Sequence, residues 1–303
     1  MKVIVTGATG LIGGKISEKL KRNRHEVIVF SRNPEKAKTI VDADDYYEWN
    51  PLGSDDGKWK NAIGGSDVII NLAGEGVVDK RWSESYKKRI LKSRTVSTKS
   101  LVDEIKKSSS KPKQFISASA IGFYGYERQQ AVDESSRKGE GFLADVVESW
   151  ENSSEDLEQE EIVRTIIRIG IVIDKNGGAL AKMLPPFRFF VGGPIGSGNQ
   201  WFPWIHIDDL SELFIYAIEK NLSGVFNAVA PKGVTMNDFA KSLGKTIKRP
   251  SIFKVPEFVL KLIMGEAANA VIKGVNVSGE KAVQNGFKYK FANVDNALAN
   301  LLK

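Results

Sequence analysis

KVIVTGATGLIGG, residues 2–14, runs from an unbroken apolar stretch into three glycines spaced three apart. KVIVT, residues 2–6, is rich in β-branched apolar residues without alternation, the pattern of a strand buried in a parallel sheet. Ile12, Ile16 and Leu20 then recur at spacings of four, one face of a helix. A glycine turn that leaves a strand and opens a helix is the context in which this spacing binds a dinucleotide. Gly7 permits the tight turn, Gly10 lets the backbone approach a pyrophosphate without a Cβ, and Gly13 lets the helix lie close to the sheet. Free N–H groups of the first helical turn then face the anion. The turn Gly7, Ala8, Thr9, Gly10, Leu11, Ile12 and Gly13 is therefore the predicted pyrophosphate site.

The end of the second strand, HEVIVF over residues 25–30, supplies a second test. An acid there binds the ribose 2′-hydroxyl of NAD, whereas a basic group accommodates the 2′-phosphate of NADP. Glu26 lies at the start of the strand, where it cannot serve, and the strand runs out into Ser31 and Arg32. A guanidinium is permanently charged and binds phosphate through paired N–H groups, and Ser31 adds a hydroxyl. The expectation is NADP(H) rather than NAD(H); the plainer reading of Arg32 is an ordinary exposed loop residue.

Strands and helices alternate onward. Residues 66–73 and 113–119 read as strands, 82–107 as a long polar helix burying Ile90, Leu91, Val102 and Ile105, 142–161 as an acidic helix, and 163–173 as one strand. This alternation predicts an α/β fold: a Rossmann-type doubly wound parallel sheet with helices on both faces. After Asp174 glycines and prolines cluster, and the last fifty residues read as a smaller, mostly helical C-terminal substrate lobe. The expected division is residues 1–174 for the NADP-binding domain and 175–303 for the lobe. Residues 201–230 return to the first domain, and 249–303 form the helical end.

Composition narrows the classes. Of 303 residues, 42% are apolar and 27% charged, a globular balance. No apolar run approaches the roughly 18 residues of a membrane helix, and the N-terminal stretch turns glycine-rich too soon for a signal peptide. Without cysteine there are no disulfides or thiolate sites, which fits a cytoplasmic chain. His25 and His206 lie far apart, so no metal is expected. The formal charge of +7 is spread over lysines interleaved with acids, and no nucleic-acid-binding motif accompanies it. The expected partner is a small-molecule substrate, with no nucleic acid and no membrane, on a monomer or homodimer.

TGATGLIG, NLAGE at 71–75, SASAIGFYG at 117–125 and WIHIDDL at 204–210 together resemble the extended short-chain dehydrogenase/reductase superfamily. The closer resemblance is to an atypical nucleoside-diphosphate-sugar epimerase-like family. That family carries Arg81-Trp82 and Ser93-Arg94 around the helix after NLAGE, GGPIGSGNQW at 192–201, and a C-terminal lobe like RPSIFKVPEFVLKLIMGE. The resemblance covers essentially the whole chain. It implies that Leu72, Ala73 and Gly74 line the ribose and pyrophosphate, that Arg94 faces the cofactor, and that Glu75 lies beside the nicotinamide end. An ion pair between Glu75 and Arg94 is the structural alternative, and Trp82 is expected in helix packing.

The superfamily's redox chemistry uses a tyrosine, a lysine four residues later and a strand-end serine or threonine. The lysine's charge lowers the tyrosine pKa, and the tyrosine passes a proton to or from the substrate oxygen. Ser117 and Ser119 are the candidates for the serine. Phe142 and Val146 stand where the pair should be, and neither can transfer a proton. No tyrosine lies between Tyr126 and Tyr216, and no lysine between Lys138 and Lys175, so no shift in alignment restores it. The candidate substitutes are Tyr124 with Arg128 four residues on, a general base from Glu75, Asp133 or Glu134, and His206. On the substrate side, the 192–201 loop, Arg168, Arg188 and the rings of Trp201, Phe202 and Trp204 could hold a phosphate or a base. Turn formation, burial, and pairing of an arginine with Asp208 or Asp209 are the alternatives. The expected function is an NADP-dependent oxidoreductase or epimerase acting on a nucleotide-sugar or other small hydroxyl or carbonyl compound. The alternative is an NADP-binding sensor without turnover.

Overall fold

The structure is a computed structural model that describes residues 1–126 and 130–303. Among the described residues nine strands are formed: β1 Lys2–Thr6, β2 Glu26–Ser31, β3 Asp45–Glu48, β4 Val68–Asn71, β5 Gln114–Ala120, β6 Val163–Ile169, β7 Ile171–Asp174, β8 Trp204–His206 and β9 Gly224–Ala228. Helices of the first half are α1 Leu11–Arg22, α2 Pro34–Lys38, α3 Trp59–Ile63, α4 Glu84–Lys107 and α5 Phe142–Asn152. Then follow α6 Gly178–Arg188, α7 Ile207–Glu219, α8 Met236–Ile247, α9 Glu257–Met264, α10 Asn269–Ile272, α11 Glu280–Gln284 and α12 Val294–Leu302.

Seven strands make one sheet in the order β3-β2-β1-β4-β5-β6-β9, every pairing parallel. Successive residues of a strand point to opposite faces, and the core divides accordingly. Val3, Val5, Val27, Val29 and Ile70 face α1 and α7, while Ile4, Ile28, Phe30, Ile69 and Phe115 face Leu101, Val102 and Ile105 of α4. Both faces are covered, which is why these strands read as apolar runs. The chain order reverses on either side of β1, between β2 and β4, and a crevice opens at the carboxyl ends of the strands there.

The single strand expected over 163–173 is broken. β6 ends at Ile169, and β7 pairs with β8 in a separate two-stranded sheet. Gly170 makes the crossing: its N–H goes to Ala228 O, the next N–H goes to Pro203 O, and a Cβ on Gly170 would lie 2.4 Å from Pro203 O. The helix expected over 142–161 ends at Asn152 and is followed by a 3₁₀ turn over Glu155–Glu160. β3, α2 and α3 lie in a segment whose sequence pattern was not read as structure. Leu180, Leu184 and Phe187 of α6 form the core of the last part with Phe239 and Leu243 of α8 and Leu298 and Leu301 of α12.

Two glycines of the opening turn are sterically required. Gly7 has φ +68°, and a Cβ there would sit 2.9 Å from the Leu72 backbone. A Cβ on Gly13 would sit 2.3 Å from Gly7 O and 2.7 Å from Ala8 Cα. Gly13→Ala should therefore force α1 off the turn and cost about 1–3 kcal/mol. Urea unfolding measures this, and a midpoint equal to the parent chain's would contradict the close approach.

Candidate active site: a nucleotide cleft and a buried polar relay

A cleft of about 300 Å³ lies at the carboxyl ends of β1, β2 and β4. Gly7, Ala8, Thr9 and Gly10 form one wall, Leu72 to Glu75 the facing wall, and Ser31 and Arg32 the outer end. Leu11, Ile12 and Gly13 are the first helical turn behind the glycine wall. Gly10 caps α1 without a side-chain hydrogen bond, so no side chain competes for the N–H groups of that turn. Arg32 is exposed and, among the described residues, makes no ion pair or side-chain hydrogen bond. These residues fit a dinucleotide phosphate: a diphosphate at the helix end and a free cation at the ribose end.

One buried hydroxyl holds the two walls together. Thr6 Oγ1 donates to Asn71 Oδ1 at 2.8 Å and accepts the N–H groups of Leu72 and Ala73 at 3.1 and 3.2 Å. Asn71 Nδ2 donates to Thr98 Oγ1 of α4, which also accepts from the Trp150 indole of α5. Neither Thr6 nor Asn71 was singled out in the sequence.

Glu75 and Arg94 do not pair. Glu75 binds Arg89 at 2.8 Å, and its N–H is held by Ser93 Oγ. The Arg94 guanidinium lies behind Gly74, where a Cβ would meet its Cζ at 3.2 Å, and 5.1 Å from the Trp150 ring centroid. It donates to Ile90 O and Ser93 Oγ and makes no ion pair among the described residues. Burial pushes its pKa down to about 10, a cost that the more distant Glu75 charge offsets in part. A cation held in this way favours an anion in the cleft.

The strand-end hydroxyls point elsewhere. Ser117 Oγ donates to Ala118 O. Ser119 Oγ donates to Glu151 Oε1 at 2.5 Å, and Glu151 takes a two-pronged bond from Arg168, 2.8 Å to each nitrogen. Arg168 also donates to the Tyr124 hydroxyl at 3.0 Å, which donates on to Asn227 Oδ1 at 2.8 Å. Asn227 is tied in turn to Glu134 and to Ser278 O. Ser117, Ser119 and Tyr124 are all buried and do not line the cleft. Tyr124, the expected stand-in acid, is turned into a pocket of Val132, Val229, Val275 and Val277 because Arg168 and Asn227 satisfy its hydroxyl there. Burial pushes its phenol up against the pull of Arg168. Arg128 lies outside the described residues.

Arg168 pairs with Glu151, and not with Asp208 or Asp209 as the sequence suggested. Asp208 lies 3.4 Å from Lys15, and Asp209 accepts the N–H groups of Lys290 and Phe291. His206 caps α7 through Nδ1 and stacks on Phe291, so its position is structural. Burial pushes its pKa down. Trp204 is fully buried and cannot stack on a ligand; Trp201 remains half-exposed. Phe142 meets the Trp82 ring edge-on at 5.0 Å and Val146 is buried in the same apolar cluster.

Neither the cleft's outer wall, Trp49-Asn50-Pro51-Leu52, nor Ser97, which lines the cleft from α4 beside Ser93 of the Ser93-Arg94 motif, is singled out by the sequence. The aromatic-to-turn composition of WNPLGSDDG was the available signal for the wall.

Known proteins share this architecture. Residues 3–141 match the NAD dependent epimerase/dehydratase family, and residues 255–301 match a domain of unknown function, DUF1731. The chloroplastic SDR39U1 homolog of Arabidopsis thaliana, an epimerase family protein, is 39% identical over all of this chain and 87% of its own length. The chain belongs to this epimerase family. Within it, the human epimerase family protein SDR39U1, crystallised with NADPH, superposes with a TM-score of 0.89 at 31% identity, covering 99% of both chains. A nucleoside-diphosphate sugar epimerase from Corynebacterium glutamicum superposes at 0.78 and 29% identity, covering all of this chain and 58% of that one. The family is of the extended short-chain dehydrogenase type. Among the described residues, no helix is long and apolar enough to cross a membrane.

Two outcomes follow for the buried relay. Tyr124→Phe strands Arg168 and Asn227 and should cost about 1–3 kcal/mol in urea unfolding. The raised folded pKa of Tyr124 contributes stability in full below the ordinary tyrosine value of about 10, which is lost as pH rises above it. Between about pH 9 and 11 the unfolding midpoint should fall more steeply for the parent than for Tyr124→Phe. Parallel curves would contradict the phenol's burial.

Proposed function

We propose that this chain binds NADP(H) along the cleft and uses it at a hydroxyl or carbonyl carbon of a small substrate, with nucleotide-sugars as the leading class. The observation that carries this reading is the unpaired Arg32 at one end of a cleft whose other end is an uncapped helix N-terminus. The bound cofactor would supply hydride chemistry. Gly7 to Gly13 would hold the diphosphate, Ser31 and Arg32 the 2′-phosphate, and Leu72, Ala73 and Gly74 the ribose side. Arg94 would set a positive charge behind Gly74, and residues 1–174 would present the cofactor to a substrate held by the 175–303 lobe. The NADPH in the human relative supports the cofactor choice, and the Corynebacterium protein's description supports the substrate class.

The general base in this reading is Glu75, the one acid lining the cleft among the described residues. Ser119 donates its one O–H to Glu151 in a hydrogen bond, and Tyr124 donates its own to Asn227. That commitment, with Phe142 and Val146 in place of the usual pair, favours a second reading: an NADP(H)-binding sensor that performs no turnover.

Titration of the chain's tryptophan fluorescence with NADPH and NADH tests the cofactor. NADPH should bind more tightly, and Arg32→Asp should weaken it about tenfold or more while leaving NADH little changed. An unchanged preference in that variant removes the phosphate role. The NADP-loaded chain is then offered a panel of nucleotide-sugars and small carbonyl compounds. Turnover lost in Glu75→Gln with NADPH binding intact supports the enzyme; binding without turnover on any member supports the sensor.

A further inference from the structure

The outer wall of the cleft is a surface segment, Trp49 to Leu52, with little regular structure to hold it. One side chain holds it from behind. Asp55 Oδ2 accepts the Asn50 N–H at 2.9 Å, and Oδ1 accepts the Gly57 N–H at 3.0 Å and the Trp59 indole N–H at 3.2 Å. Asp55 does not line the cleft and, among the described residues, makes no ion pair. Its three donors all belong to the loop or to the helix that follows it.

Each donor matters to the cleft. Asn50 is in the wall itself. Trp59 meets Phe30 edge-on at 5.8 Å and Trp49 at 6.4 Å, and those two rings form the cleft floor at this end. Gly57 has φ +71°, so the chain there reverses in a conformation that Asp55 secures. Asn50 Nδ2 adds a bond to Ser54 O, closing the loop on itself. The neighbouring Asp56 is spent differently, on Lys58. One carboxylate thus fixes floor and wall together, while the acid beside it does neither.

We infer that Asp55 is the positioning residue for the adenosine end of the ligand. It pre-forms the wall and floor against which the base is held, although it touches no part of the ligand. The inference rests on the NADP(H) reading. The physical ground is pre-organisation: a wall already ordered by three charge-assisted hydrogen bonds loses less entropy on binding than a loose one.

The test compares Asp55→Ala, Asp55→Asn and Asp56→Ala with the parent chain, each checked for folding by thermal melting. The probes are NADPH, adenosine 2′,5′-bisphosphate and reduced nicotinamide mononucleotide. Asp55→Ala should raise the Kd of the first two by a similar factor, about tenfold, and leave the third unchanged. Asp55→Asn keeps one acceptor oxygen and should fall between. Asp56→Ala removes the same charge one residue away and should stay within about twofold, which separates positioning from relief of phosphate repulsion. A folded Asp55→Ala that binds NADPH as the parent does overturns the role of Asp55 alone, as does equal weakening of all three probes. A parent chain that binds neither NADPH nor the bisphosphate overturns the inference together with the reading it rests on.

Discussion

The hydroxyl of Thr6 is the point on which the cleft depends. It sits at the end of β1, inside the crevice between two strands, and makes one bond as donor and two as acceptor. Those bonds hold the Leu72–Ala73 turn at a fixed distance from the glycine turn. Asn71 extends the same network to Thr98, and Thr98 extends it to Trp150. Two turns and two helices are thereby referenced to one buried side chain. A valine at this position would keep the shape of the strand, but it would leave the Leu72 N–H without its acceptor, the Ala73 N–H with only a 3.4 Å contact to Asn71 Oδ1, and Asn71 Oδ1 without its hydroxyl donor.

A second buried network lies deeper, at the ends of β5, β6 and β9. Arg168 and Glu151 are charged groups taken almost wholly out of water, an arrangement that holds only because their hydrogen-bonding capacity is used. Ser119 and Tyr124 supply part of that capacity. Hydroxyls that elsewhere in the superfamily face a substrate are here the satisfied neighbours of an ion pair. On α5, Phe142 and Val146 pack with Trp82, Tyr86 and Ile90 in an apolar cluster. The polar side chains of both networks look inward and satisfy one another. Among the described residues, Arg32 and Glu75 are the charged side chains that line the cleft, with Arg94 behind Gly74.

Much of this was legible in the chain. KVIVTGATGLIGG identified the first strand, the turn and the helix. The alternation of apolar runs with amphipathic stretches identified the parallel sheet. Those signals are local: burial on two faces makes a strand apolar, and close approach of helix and strand requires glycine. That residues 142–152 hold no tyrosine or lysine was also plain, because it is read from residue type alone. The split of residues 163–173 was not legible, since β6 and β7 are both apolar and only the contact of Gly170 with Pro203 separates them. β3 was missed because DYYE is a short, partly exposed strand next to the edge of the core, with no apolar run to mark it.

The sequence by itself determined the fold class and the glycine turn between β1 and α1, because each follows from residue type and spacing along the chain. Only the tertiary structure decided where the polar side chains look. That Arg168 pairs with Glu151, that Arg94 has no carboxylate partner among the described residues, and that Tyr124 turns into the core depend on groups 17 to 103 residues apart. A charge or hydroxyl in a low-dielectric interior goes to whichever partner satisfies it best, and that partner is chosen by the packing of strands and helices, not by its neighbours in the chain.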